Sequence, residues 1–160
     1  MISAREAMTI SEPATLITDY VVAVFSTAFG ILLLRARTHR GTLLWGIGFL
    51  TLAGAGLTGG SFHGFRLMMS DGAHRSLWNL TCLLIGASAG FMISAALCSS
   101  LPRNGRNTQW LAAGLTLSIA GLVIQQGHFA IDPNFNHNDL YHCVQTVALF
   151  CFYRGARMTP

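Results

Sequence analysis

Apolar residues gather into five long runs, 16–34, 43–62, 77–98, 110–124 and 140–153, parted by short polar connections. A helix needs about 20 residues to cross a bilayer, within a range of about 17 to 25. The first three runs meet that length directly. The fourth reaches it by continuing through "QQGHFAI" to about 130, and the fifth by starting near Asn136 and ending near Ala156. Both late helices then carry polar residues in their outer turns. The first run is too long for a cleavable leader and is followed by "RARTHR" rather than a small-residue cleavage site. The prediction is an all-α, polytopic membrane protein. Its single domain, 1–160, is a bundle of five transmembrane helices at about 16–34, 43–65, 77–98, 110–130 and 137–156.

Composition agrees with that pattern. Of 160 residues, 52% are hydrophobic and only 10% are charged, against about 25% charged in an ordinary soluble domain. Lipid is therefore the expected solvent for most of the surface. All ten basic residues are Arg, and their positions decide the orientation. Arg35, Arg37 and Arg40 follow the first span, Arg103 and Arg106 the third, and Arg154 and Arg157 the fifth. The positive-inside bias puts these segments in the cytoplasm, with the N-terminus outside and the C-terminus cytoplasmic. All six carboxylates and five of the six histidines then fall on the outer side, with His39 alone among the arginines. The net charge of +4 is thus a membrane anchor, and no nucleic-acid partner is expected. The four cysteines lack any C-x-x-C spacing and sit in apolar runs, where a thiol behaves as a small hydrophobe.

Small residues recur at four-residue spacing in Gly56-x-x-x-Gly60, Gly60-x-x-x-Gly64 and Gly86-x-x-x-Gly90. Such strips let membrane helices approach closely, although Gly is also frequent in membrane helices generally. Ionisable groups inside a span are costly and usually face a partner in the bundle. His63, in "LTGGSFHGF", sits a turn or more below the surface if its helix continues, and Asp19 lies one turn into span one. Asp19 is either a partner for His63 or a charge suited to the positive helix end. In "DPNFNHNDLYH", Pro133 ends the preceding segment and Asn136 is a candidate N-cap with Asp139 at N3, the pattern of a capping box. Asp139 and His142, three apart, share a face; His137 lies five from His142 and joins it only through a distorted first turn. His63, His137 and His142, with Asp19 or Asp139, make a candidate zinc set that leaves room for water. His74, His128, Asp71 and Asp132 are expected to be solvated loop residues.

These residues resemble a membrane hydrolase superfamily that includes the alkaline ceramidases and the adiponectin and progestin receptors. Its members bind zinc through three histidines and hydrolyse lipid amides. "GGSFHGF" supplies His63 and "HNDLYH" supplies His137 and His142. The chain departs from that pattern in having five spans rather than seven, Gly59 four residues before His63 with Ser61 displaced by two, and H-x-x-x-x-H with Asn138 where the first ligand belongs. "LITDY", "GGSFHGF", "LWNL" and "HNDLYHCVQ" also resemble small uncharacterised bacterial multi-pass membrane proteins, a likeness that carries no activity.

Three functions follow. The first is a zinc-dependent lipid or amide hydrolase of the cell (inner or plasma) membrane, with His63 and His142 as ligands and His137 or Asn138 completing the site. In it Asp19 or Asp139 acts as base or orienter and Ser61 as oxyanion donor, on a zinc-bound water whose pKa falls to about 7. The second is a binding protein for haem b, through His63 and His142, or for a metal. The third is an accessory subunit, non-catalytic, assembled with itself or with a partner membrane protein, whose histidines stabilise helix ends. Membrane lipid is the common partner. No Gly-rich phosphate loop is present, since "GAGLTGG" ends in no Lys.

Overall fold

A computed structural model describes residues 10–36, 39–98, 105–132 and 134–158. Five helices make up most of it: α1 (Pro13–Ala36), α2 (Arg40–Gly64), α3 (Asp71–Cys98), α4 (Gly105–Gln126) and α5 (His137–Arg157). A 3-10 turn, Arg66–Met68, follows α2, and an isolated bridge joins Asp132 to Phe135. The all-helical prediction therefore holds among the described residues. Helices α1 to α4 are each long and apolar enough to cross a membrane. α5 is less apolar, though its 21 residues span about 32 Å at 1.5 Å per residue. It is flanked by α1 and α4, which screen part of its surface.

In space the helices follow the order α3, α2, α1, α5, α4. Antiparallel neighbours bring the N-termini of α1, α3 and α5 to one end with the C-termini of α2 and α4. That end carries His63, His74, His128, His137 and His142, with Arg66 and Arg75; the opposite end carries Arg35, Arg40, Arg106, Arg154 and Arg157. Arg37, Arg103 and Pro133 lie outside the described residues. α1 and α5 run parallel, with His142 beside Thr18 and Tyr153 stacked on Phe29 at 4.6 Å.

Aromatic packing and close glycine contacts hold the bundle together. Toward the arginine end, Phe29, Leu33, Trp45, Phe49, Leu149 and Tyr153 form a buried core, with Phe29 and Phe49 edge to face at 5.7 Å, a favoured aromatic geometry. Toward the histidine end, α1 and α2 touch through glycine. A methyl added at Gly56 would lie 2.8 Å from the Asp19 carbonyl oxygen, and one at Gly60 would lie 2.7 Å from the Tyr20 ring. Gly86 and Gly90 meet nothing within 4 Å. Of the small-residue strips, those on α2 pack and the one on α3 does not. α3 is tied to α2 by hydroxyls: Thr81 Oγ donates to Thr58 Oγ at 2.9 Å, and Ser88 Oγ donates to the Gly48 carbonyl at 2.9 Å.

Three expectations change. α3 starts six residues before its apolar run, with Asp71 in its first turn, so His74 is helical. Its ring stacks on Phe62 at 3.9 Å and its Nε2 lies 3.2 Å from the Phe62 carbonyl; it is no solvated loop residue. α4 ends at Gln126 rather than near 130, because the chain turns at Gly127 and His128 takes φ 53°, a conformation uncommon outside glycine.

Candidate functional site

The first turns of α5 fix the site. Asn136 caps the helix, accepting from the Asn138 N–H at 2.8 Å, while Asp139 accepts from the Asn136 N–H at 2.7 Å. This is the predicted capping box. It sets the helix rotation so that Asn138, Tyr141, His142 and Gln145, spaced i, i+3, i+4 and i+7, form one polar stripe that lines a cavity. Asp19 reaches the same cavity from α1 and His63 from the end of α2. On α2, Gly56 and Gly59 leave room for it: a methyl at Gly59 would lie 3.4 Å from the Asp19 carboxylate.

The cavity has a volume of about 330 Å³, within the range of about 300–1,000 Å³ usual for small-molecule sites. Besides the three ionisable groups its walls hold Gln125, Asn138, Gln145, Tyr141, Trp78 and Thr81, and its apolar floor is Val22, Leu52 and Ile85. Asp19 Oδ1 stands 3.4 Å from His142 Nε2, with both side chains largely buried. On the other edge of that ring, His142 Nδ1 lies 3.1 Å from Thr18 Oγ. Thr18 Oγ also donates to the Thr15 carbonyl at 3.2 Å. With its single proton so used, it accepts from Nδ1–H and turns the basic edge of the imidazole toward Asp19. An isolated buried charge is costly, whereas a proton taken up at this edge of the imidazole is balanced by the adjacent carboxylate. His63 is oriented likewise: its Nδ1 lies 3.1 Å from Glu12 Oε2.

Of the six residues singled out from sequence, the fold thus brings together Asp19, His63 and His142. The other three lie elsewhere. Ser61 Oγ sits against the Tyr20 hydroxyl at 3.0 Å and donates to the Leu57 carbonyl at 2.8 Å, away from the cavity walls. Asp139 is fully buried in its capping role. The His137 ring lies edge to face on His128, with centroids 4.6 Å apart. The set His63, His137 and His142 is therefore not gathered, and among the described residues no three of His, Cys, Asp and Glu are grouped as metal ligands. Of the imidazole nitrogens here, His142 Nδ1 faces Thr18, His142 Nε2 faces Asp19, and His63 Nδ1 faces Glu12. Sequence reasoning missed Glu12, Thr18, Gln125 and Gln145 as site residues, whereas the i, i+4 spacing of Asn138 and His142 did mark Asn138 as an alternative to His137. The polar stripe on α5 was the available signal for Tyr141 and Gln145, while nothing local marks Glu12 as a partner of His63 across 51 positions.

Residues 14–107 and 97–159 match a family of unknown function (DUF6962). The chain belongs to this family. The matched segments include every residue of the cavity wall and exclude Glu12. No curated protein and no solved structure matches the chain.

Proposed function

We propose that this family member is a five-span protein of the cell membrane, with its N-terminus outside, that hydrolyses an ester or amide bond of an amphiphile in the outer-level cavity. The observation that carries this reading is the Asp19–His142 pair on the wall of a cavity that also presents His63, three amides, a phenol and an indole over an apolar floor. Within the pair, one group takes a proton from a cavity water while the other balances the charge, the division of labour expected of a positioned base and its orienter. The water oxygen bonds to the carbonyl carbon, and the bond to the leaving oxygen or nitrogen breaks. The proton then passes to that leaving atom, which restores the pair. Tyr141, Asn138 and Gln145 are the donors at hand for the carbonyl oxygen as it gains charge, the kind of aid that preorganised hydrogen bonds supply. His63, held by Glu12, binds the polar group on the α2 side.

The test is turnover of a panel of acyl esters and N-acyl amides by detergent-purified protein. His142→Ala and Asp19→Asn are expected to lower the rate by about 10²–10⁴-fold, while Ser61→Ala stays within a few-fold of wild type. Turnover unchanged in His142→Ala, or absent for every amphiphile, sinks the proposal. Metal content by mass spectrometry and an absorption spectrum accompany it. About one zinc per chain, lost in both His63→Ala and His142→Ala, would replace the metal-free route with a zinc-bound water; a Soret band would replace hydrolysis with haem binding.

A further inference from the structure

The bundle is not closed. α3 packs along α2 and α4 along α5, and no helix–helix interface joins α3 to α4 among the described residues. The buried positions of α3 are Thr81, Ser88 and Ala95, and those of α4 are Asn107, Gly114 and Gly121. Each set is a single stripe at seven-residue spacing, enough to hold one neighbour and no more. Between the two helices lie two cavities, one above the other. Toward the histidine end is the polar cavity of Asp19 and His142, walled in part by Trp78 and Gln125. Toward the arginine end is an apolar groove of about 390 Å³, with Met92 and Ile93 on one side, Leu111 and Leu115 on the other, and Trp45 and Phe152 at its back. The two rings at the back stack at 5.9 Å. Along α3, the distance from Trp78 beside the first cavity to Ala96 beside the second is about 27 Å at 1.5 Å per residue, close to the hydrocarbon thickness of about 30 Å.

We infer that the α3–α4 seam is a lateral port for a membrane lipid, whose polar part occupies the cavity of Asp19 and His142 and one of whose acyl chains lies in the groove of Met92, Leu111 and Phe152. The inference rests on the hydrolase reading only for what then happens to the lipid. Three observations select the occupant. α3 and α4 are both apolar enough to cross a membrane, so the molecules facing the seam are those dissolved in the bilayer. A hydrogen-bonding cavity and a groove that is apolar but for Thr108, under one opening, match an amphiphile end for end. The groove is also a narrow recess between two helices, whereas a second copy of the chain would need a broad complementary face burying more than about 1,000 Å² in total.

The experiment places the full chain in phosphatidylcholine vesicles doped with phosphatidylcholine that carries a diazirine in its acyl chain. After irradiation, adducts are mapped by peptide mass spectrometry. Expected is labelling of the half-buried Met92, Leu111 and Phe152 at several times the level of Leu83 and Ile119, which are 67% and 56% exposed. Filling the groove with Ala112→Trp, or separately Ala96→Phe, should lower the groove labelling several-fold and leave Leu83 unchanged. Labelling that merely follows exposure, so that Leu83 and Ile119 lead, overturns the proposal. So does oxidant-induced disulfide cross-linking between two chains of Met92→Cys beyond that of wild type, which would put a second copy in the seam. An ether-linked probe, which offers no acyl bond to hydrolyse, is expected to give the same labelling, so failure of the catalytic reading leaves this result standing, and the reverse.

Discussion

Gly56 offers a direct test of how the histidine end is assembled. Gly56→Ala adds one methyl, and that methyl would lie 2.8 Å from the carbonyl oxygen of Asp19 and 3.1 Å from the backbone nitrogen of Ala23. Both are backbone atoms, so no side-chain rotation relieves the contact and α1 must move away from α2. Overpacking of this kind costs about 1–3 kcal/mol. Gly56 is helical without a positive φ, so Ala also recovers the helix-interior penalty of Gly, about 0.5–1 kcal/mol. The net expectation is a loss of up to about 2.5 kcal/mol, centred on about 1 kcal/mol. Gly86→Ala is the matched control: nothing lies within 4 Å of its added methyl, so only the propensity gain of about 0.5–1 kcal/mol operates. At about 2–4 °C per kcal/mol for a chain of this size, circular-dichroism melts in one detergent should separate the two variants by several degrees, on opposite sides of wild type. Melts that coincide, or a Gly56→Ala protein more stable than wild type, would refute the close approach of α1 to α2. Because the displaced atom belongs to Asp19, Gly56→Ala should also slow any turnover that depends on the Asp19–His142 pair.

Two further outcomes follow from the same contacts. Asp139→Ala removes half of the capping box and should lower stability by about 1 kcal/mol, read as a lower melting temperature with turnover within a few-fold of wild type; a catalytic Asp139 would instead lose activity without loss of stability. Ser88→Ala deletes a buried hydroxyl that bonds the Gly48 carbonyl and should cost about 0.6 kcal/mol, the average for hydrogen bonds between membrane helices, a drop of about 1–2 °C in the same melts; a loss of more than about 2 kcal/mol would mean that α3 depends on that one bond.

Much of the architecture was legible because its causes are local. Long apolar runs, short polar connections and a scarcity of charge lead to helices of membrane-crossing length, and four of the five qualify on length and hydropathy. The Asn136–Asp139 capping box was legible for the same reason, since both partners lie within one helical turn. Helix limits were less so. The apolar run behind α3 begins at Leu77, but its helix begins at Asp71, because hydrophobicity reports the neighbourhood of a residue and not its backbone conformation. The two glycine strips looked alike in sequence and differ in the fold, since only α2 has a neighbour close enough to use its glycines.

By itself the sequence determined the helical class, the number of helices and the end of the bundle at which ionisable groups collect, all consequences of short-range periodicity and of charge placement. It also named Asp19, His63 and His142 among its candidates. Tertiary structure alone decided that these three share a cavity while Ser61, His137 and Asp139 do not. The choice depends on how each helix is rotated about its axis, and that rotation is set by contacts far apart in the chain, such as Thr18 with His142 and Glu12 with His63. The open seam between α3 and α4 has the same origin: each helix carries one narrow packing stripe, and only assembly shows which neighbour takes it.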